Sequence, residues 1–117
     1  MNGQETKTET ERAAMPNLQV ELEGEMMAIK TDLENSIKTQ NFDAIDEFLD
    51  DALDLILHIG AGTKDVVGFD IGITMGGPFI TLEYARGRCE LKGAWGSASL
   101  TIDVDHEVCE EIMERLA

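Results

Sequence analysis

Six carboxylates crowd the stretch FDAIDEFLDDALDLILHI, residues 42–59: Asp43, Asp46, Glu47, Asp50, Asp51 and Asp54, with no Lys or Arg among them. Counted from Asp43 they fall at 0, +3, +4, +7, +8 and +11, which is one face of a 3.6-residue helix. Ile45, Phe48, Leu49, Ala52, Leu53, Ile56 and Leu57 supply the opposite, apolar face. The spacing predicts one helix over the whole stretch, a carboxylate ridge on a dry underside. The chemistry open to such a ridge is electrostatic. Successive turns set its carboxylates about 5–6 Å apart, close to the phosphate repeat of a nucleic-acid strand, so the ridge could imitate phosphates. The plainer reading is a solvated face of an acidic protein. Like charges at i and i+4 repel by about 0.2–0.5 kcal/mol per pair. The ridge is therefore either tolerated because its underside docks well, or retained because something cationic binds it. A second acidic set, Glu107, Glu110, Glu111 and Glu114, flanks the apolar stripe Val108, Ile112, Met113 and Leu116, with Arg115 as its only base.

Other constellations carry less. His106-x-x-Cys109 sets two soft ligands one helical turn apart, with Cys89 as a third, but structural zinc takes four. Both cysteines are expected as reduced thiols, Cys109 beside an apolar helix face. A Cys109–His106 nucleophile pair would lack a third orienting group and an oxyanion hole. His58 is expected near the C-terminal end of the acidic helix, where a cation gains from the dipole. The acids there lack the glycine-containing twelve-residue loop of an EF-hand and the Glu-x-x-His of a di-iron site. Gly76-Gly77-Pro78 lacks the rest of a phosphate loop and reads as a hairpin turn. Arg86, Arg88 and Lys92 are expected to pair with Glu83 and Glu90 across a sheet. No catalytic residue, metal or cofactor is expected, and the chain is not read as an enzyme.

The elements that must position these residues follow from periodicity. Residues 1–16 are polar and read as a disordered lead-in; residues 17–117 read as a single domain. Leu22, Met26, Ile29, Leu33 and Ile37 make one stripe, so a first helix is expected from Leu18, or from Glu25 if Gly24 delays it, to Thr39. Thr39-Gln40-Asn41 is short enough to make an antiparallel helical hairpin, with Asn41 or Asp43 capping the acidic helix and Gly60-Ala61-Gly62 ending it. From Val66 the period becomes 2, and four strands follow, with Tyr84 and Trp95 expected to point inward and Phe79 as a third large anchor. A last helix is capped by Asp103 or Asp105. The expected fold class is α+β: an N-terminal helical hairpin, a four-stranded antiparallel meander and a C-terminal helix.

Among 117 residues, 43% are hydrophobic and the formal charge is −15, enough for a core and opposed to direct contact with nucleic acid or an anionic membrane surface. The apolar runs fall short of the roughly 20 residues needed to span a bilayer. The opening MNGQETKTETERAAM lacks a secretion signal, so a cytoplasmic protein is expected.

The segment GGPFITLEYARGRCELKGAWGSASLTIDVDHEVCEEIMERL resembles small acidic proteins of phages and mobile elements, in which a GGP turn opens a β-meander followed by a short helix with a C-E-E sequence. The resemblance covers about the last 40 residues and brings no catalytic residue. It implies interference with a host defence system, in the manner of anti-CRISPR or anti-restriction proteins. The expected function is thus an inhibitor that mimics nucleic-acid phosphates and blocks the basic groove of a nucleic-acid-binding partner. Asp43, Asp46, Glu47, Asp50, Asp51, Asp54, Glu107, Glu110, Glu111 and Glu114 would be its contacts. The alternative is a homo-oligomeric or regulatory protein-binding module, such as a homodimer, whose sheet face or helical hairpin is the contact and whose acidity serves solubility.

Overall fold

The computed structural model describes residues 3–74 and 78–116, with side chains from residue 18 onward, Thr74 excepted. The order is α1 (Gly3–Thr39), α2 (Asp43–Asp50), β1 (Asp54–Ile59), β2 (Val66–Thr74), β3 (Phe79–Ala85), β4 (Arg88–Trp95), β5 (Ala98–Asp103) and α3 (His106–Leu116). The class is α+β, with five strands rather than four in one antiparallel meander, β1-β2-β3-β4-β5. Gly76 and Gly77 of the expected GGP turn lie outside the described residues. No described helix is long and apolar enough to cross a membrane.

The extra strand is the main correction. The helix expected over residues 42–59 ends at Asp50, and Asp54–Ile59 pairs with β2 instead. Helix-end electrostatics account for the stop. Asp50 and Asp51 sit at the negative C-terminal end, where anions are unfavourable, and the last turn holds no base. Asp46–Asp50 and Glu47–Asp51 add repulsion at i, i+4. Beyond them DLILHI is rich in branched aliphatics and finds a ladder partner in β2. Gly60-Ala61-Gly62, expected to end a helix, opens the β1–β2 connection, which closes through Gly60 N–H to the Asp65 carbonyl (2.8 Å) and Lys64 N–H to the Gly60 carbonyl (2.9 Å).

α1 is one helix from Gly3, ahead of the Leu18 start read from sequence. Its stripe packs as expected: Leu22, Met26 and Leu33 are buried, with Ile29 and Ile37 against them. It rests on β4 and β5, while α3 rests on β4 and β2. Phe69, Ile71, Ile80, Leu82 and Leu91 fill the sheet's helix-facing side. Gly93 makes room for α1, since a Cβ there would sit 2.5 Å from Met26 Sδ and 2.9 Å from Leu22 Cδ1. Tyr84 and Trp95 pack partly buried against this core, whereas Phe79 lies on the open face, 66% exposed. Asp105 caps α3, its Oδ1 accepting Glu107 N–H at 3.1 Å. At α2 the N-cap is Phe42, and Asn41 Oδ1 accepts Asp43 N–H at 3.1 Å.

The cysteines are a second correction. Cys89 on β4 and Cys109 on α3, expected as free thiols, are joined as a disulfide. Strand and helix pack with the two Cα atoms 6.2 Å apart, inside the range a disulfide spans. Sequence could not pair them because the crossing of α3 over β4 is a tertiary fact.

Two outcomes follow. Reduction, or the Cys89→Ser/Cys109→Ser pair, should lower unfolding stability by about 3 kcal/mol, the loop-closure value for a loop of this length, read from denaturant midpoints with and without reductant. Gly68→Ala should cost roughly 1–3 kcal/mol in the same assay, because its Cβ would overlap the Tyr84 carbonyl oxygen, a backbone atom that cannot step aside.

Candidate functional site

The ten acids expected to form the contact are distributed over three elements. Asp43, Asp46, Glu47 and Asp50 are on α2, Asp51 is its C-cap, and Asp54 opens β1. Glu107, Glu110, Glu111 and Glu114 are on α3. All are exposed except Glu111, which is half-buried. The ridge expected over residues 42–59 is therefore cut short to α2 and its C-cap, with Asp54 split off by the turn into the sheet, while the second set stays on its own helix, α3.

Arg115 joins the two helices. Its Nε donates to Asp46 Oδ1 at 2.9 Å, its Nη1 donates to Glu111, and its guanidinium lies 5.0 Å from the centroid of Phe42. The hydrogen bond to Asp46, with Glu111 beside it, raises the guanidinium above its already high pKa. Asp46 is thus turned toward a base instead of standing free in a row. Around this clasp Glu107, Glu110, Glu111 and Glu114 line a shallow cavity of about 200 Å³ with Ile37, Gln40 and Phe42. On the far side of α2 a cavity of about 410 Å³ has an apolar floor of Ile29, Leu33, Phe48 and Ile73 and an acidic rim of Asp32, Glu47 and Asp51. Among the described residues no three His, Cys, Asp or Glu side chains gather as a metal-holding group.

His58 is not at a helix end. It lies on β1 with Nε2 3.2 Å from Asp70 Oδ2 on β2. His106 is 3.7 Å from Asp105, and its expected companion Cys109 is committed to Cys89. Lys92 reaches across the sheet to Glu83 at 3.1 Å as expected, whereas Arg88 pairs with Glu90 at 3.1 Å along its own strand. The hydrogen bond that Lys92 donates to Glu83 raises its ammonium pKa.

The feature sequence reading missed is the β1 edge. Leu53, Leu55, Ile56, Leu57 and Ile59 are 69, 46, 51, 39 and 52% exposed, although they belong to the most aliphatic run in the chain. Register puts Leu55 beside Ile71 and Leu57 beside Phe69, on the helix side of the sheet, but the helical layer stops short of β1. The signal was present: Leu55, Leu57 and Ile59 alternate with Asp54, Ile56 and His58 ahead of a glycine-rich turn. The opposite edge differs. Lys30 Nζ donates to the Asp103 carbonyl at the end of β5 and to Glu34, both at 2.8 Å, and Glu34 accepts Asp105 N–H at 2.9 Å. A lysine over a strand edge discourages further pairing; an aliphatic edge invites it.

Arg115→Met should lower stability by about 1 kcal/mol at low ionic strength. The penalty should shrink as salt screens the carboxylates it leaves unpaired. Denaturation at two salt concentrations measures this. Comparison with family models, with curated proteins and with solved structures gives no match.

Proposed function

We propose that this chain is a non-catalytic protein-association module whose contact is the β1 edge. The observation that carries the reading is the run of five exposed aliphatic side chains, Leu53 and four of β1, along a strand that has no neighbour on its outer side. Monomeric proteins rarely leave such a run uncovered on a sheet edge. The charge of −15 keeps a protein with this edge from associating indiscriminately. The test is Leu55→Glu/Leu57→Glu. Both positions face solvent, so circular dichroism should be unchanged. Association of the wild-type protein, with itself or with a purified partner, should persist in about 1 M salt and be lost in the double variant. Association that salt abolishes and the double variant leaves intact would refute the reading.

A second reading keeps the acidic faces as the contact: an inhibitor of phage or mobile-element type that occupies the basic groove of a nucleic-acid-binding, host-defence (CRISPR-like) partner. It is supported by the Arg115 clasp, which draws the acids of α2 and α3 to one side. The regular phosphate-like row is no part of it. Glu47→Lys/Asp50→Lys/Glu110→Lys, which leaves the clasp untouched, should weaken binding to such a partner tenfold or more and flatten its salt dependence. An unaltered affinity would remove this reading.

A further inference from the structure

We infer that β1 pairs with β1 of a second copy of this chain, antiparallel about a two-fold axis at Ile56, making one ten-stranded sheet. The inference rests on the reading of β1 as the contact and names its occupant. The extra residue of the β1–β2 register shift is Val67, on β2, so β1 keeps its own alternation. Its side chains then divide into two sets. Leu53, Leu55, Leu57 and Ile59 share the helix side, and Asp54, Ile56 and His58 share the open side.

The two-fold at Ile56 satisfies both sets at once. On the helix side Leu55 meets Leu57 of the second copy and Leu53 meets Ile59, each twice, so eight aliphatic side chains close over one another. On the open side Ile56 meets itself, and Asp54 meets His58 twice. His58, already 3.2 Å from Asp70, would face the carboxylate of Asp54 as well and can donate a ring N–H to one or the other. Neighbouring registers lose this match. Centring on Leu57 sets Ile56 against His58 and Asp54 against Gly60. Centring on Leu55 sets Asp54 against Ile56. A shift of one residue sets Asp54 against Leu57. A self-complementary carboxylate–imidazole match on one face and an unbroken aliphatic ladder on the other are what an isologous interface requires. The outward peptide groups recur at every second residue, and facing residues in this register have the same parity, so they pair whichever parity points out.

The assembly also closes. Once β1 is paired, the remaining edge is β5, whose last carbonyl, at Asp103, is held by Lys30. A two-fold pairing uses the β1 edge of both copies, so no β1 is left to build a heterologous β1-to-β5 fibre and the pairing stops at two copies.

Sedimentation equilibrium on the full chain with its disulfide intact should give twice the 12.9 kDa chain mass, in low and high salt alike. Facing Cα atoms in an antiparallel pair lie about 4.5–5.5 Å apart, within disulfide reach. Ile56→Cys alone should therefore form a covalent dimer under mild oxidation. Leu55→Cys or Leu57→Cys alone, each facing the other position, should do so several-fold less. Ile56→Glu, at an exposed site, should give a folded monomer. A wild-type monomer at roughly 100 µM would overturn this inference; should its Leu55→Glu/Leu57→Glu form nonetheless lose a foreign partner, the association reading would stand without it. A dimer that crosslinks best through Leu55→Cys or Leu57→Cys would overturn the register. A dimer untouched by Ile56→Glu would overturn both the inference and the reading beneath it.

Discussion

Coverage of the sheet is the constraint on which the rest of this structure depends. A five-stranded sheet with one apolar face must be roofed, and the roof here is α1 over β4 and β5 and α3 over β4 and β2. The close approach at Gly93 and the disulfide between β4 and α3 fix that roof above the middle and far strands. α2 is too short to extend it, being eight residues that bury only Ile45 and Phe48. β1 is thus held by its ladder with β2 while the helices leave its aliphatic side chains wet. A strongly aliphatic segment thus ends up on an uncovered edge of the sheet.

Electrostatics acts on the fold before it acts on any partner. The acids of α2 suit the start of that helix and oppose its continuation, so they mark where helix yields to strand. Arg115 then spends its charge inside the molecule, on Asp46 and Glu111. Lys30 does likewise on Glu34 and Asp103, Lys92 on Glu83, and Arg88 on Glu90. Four of the nine bases are engaged in this way within the fold.

Much of the architecture was legible in the residues. The stripe of α1, the alternation of β2 to β5, the Asp105 cap and the inward Trp95 follow from local periodicity, and local periodicity survives folding when one face is buried. Residues 53–59 were misread because Leu53, Ile56 and Leu57 satisfy a helical face as well as they satisfy a strand. The deciding influences were the charge at the end of α2 and the ladder with β2, and only the first of these is local. The exposed edge was illegible for a related reason. Burial of β1 depends on how far a roof built from distant helices extends, and no window of sequence contains that distance. The disulfide likewise needed the crossing of α3 over β4.

The Cys89–Cys109 bond has a mechanical consequence. It encloses the rest of β4, all of β5 and the first turn of α3 in a covalent ring. A chain stretched between its ends could surrender α1, α2 and the first three strands, yet the ring would transmit load through sulfur and hide its interior from the force. At about 3.4 Å per residue, the 20-residue separation removes roughly 70 Å from the fully drawn length. Under tension this domain has a length it cannot exceed until the Cys89–Cys109 disulfide is reduced.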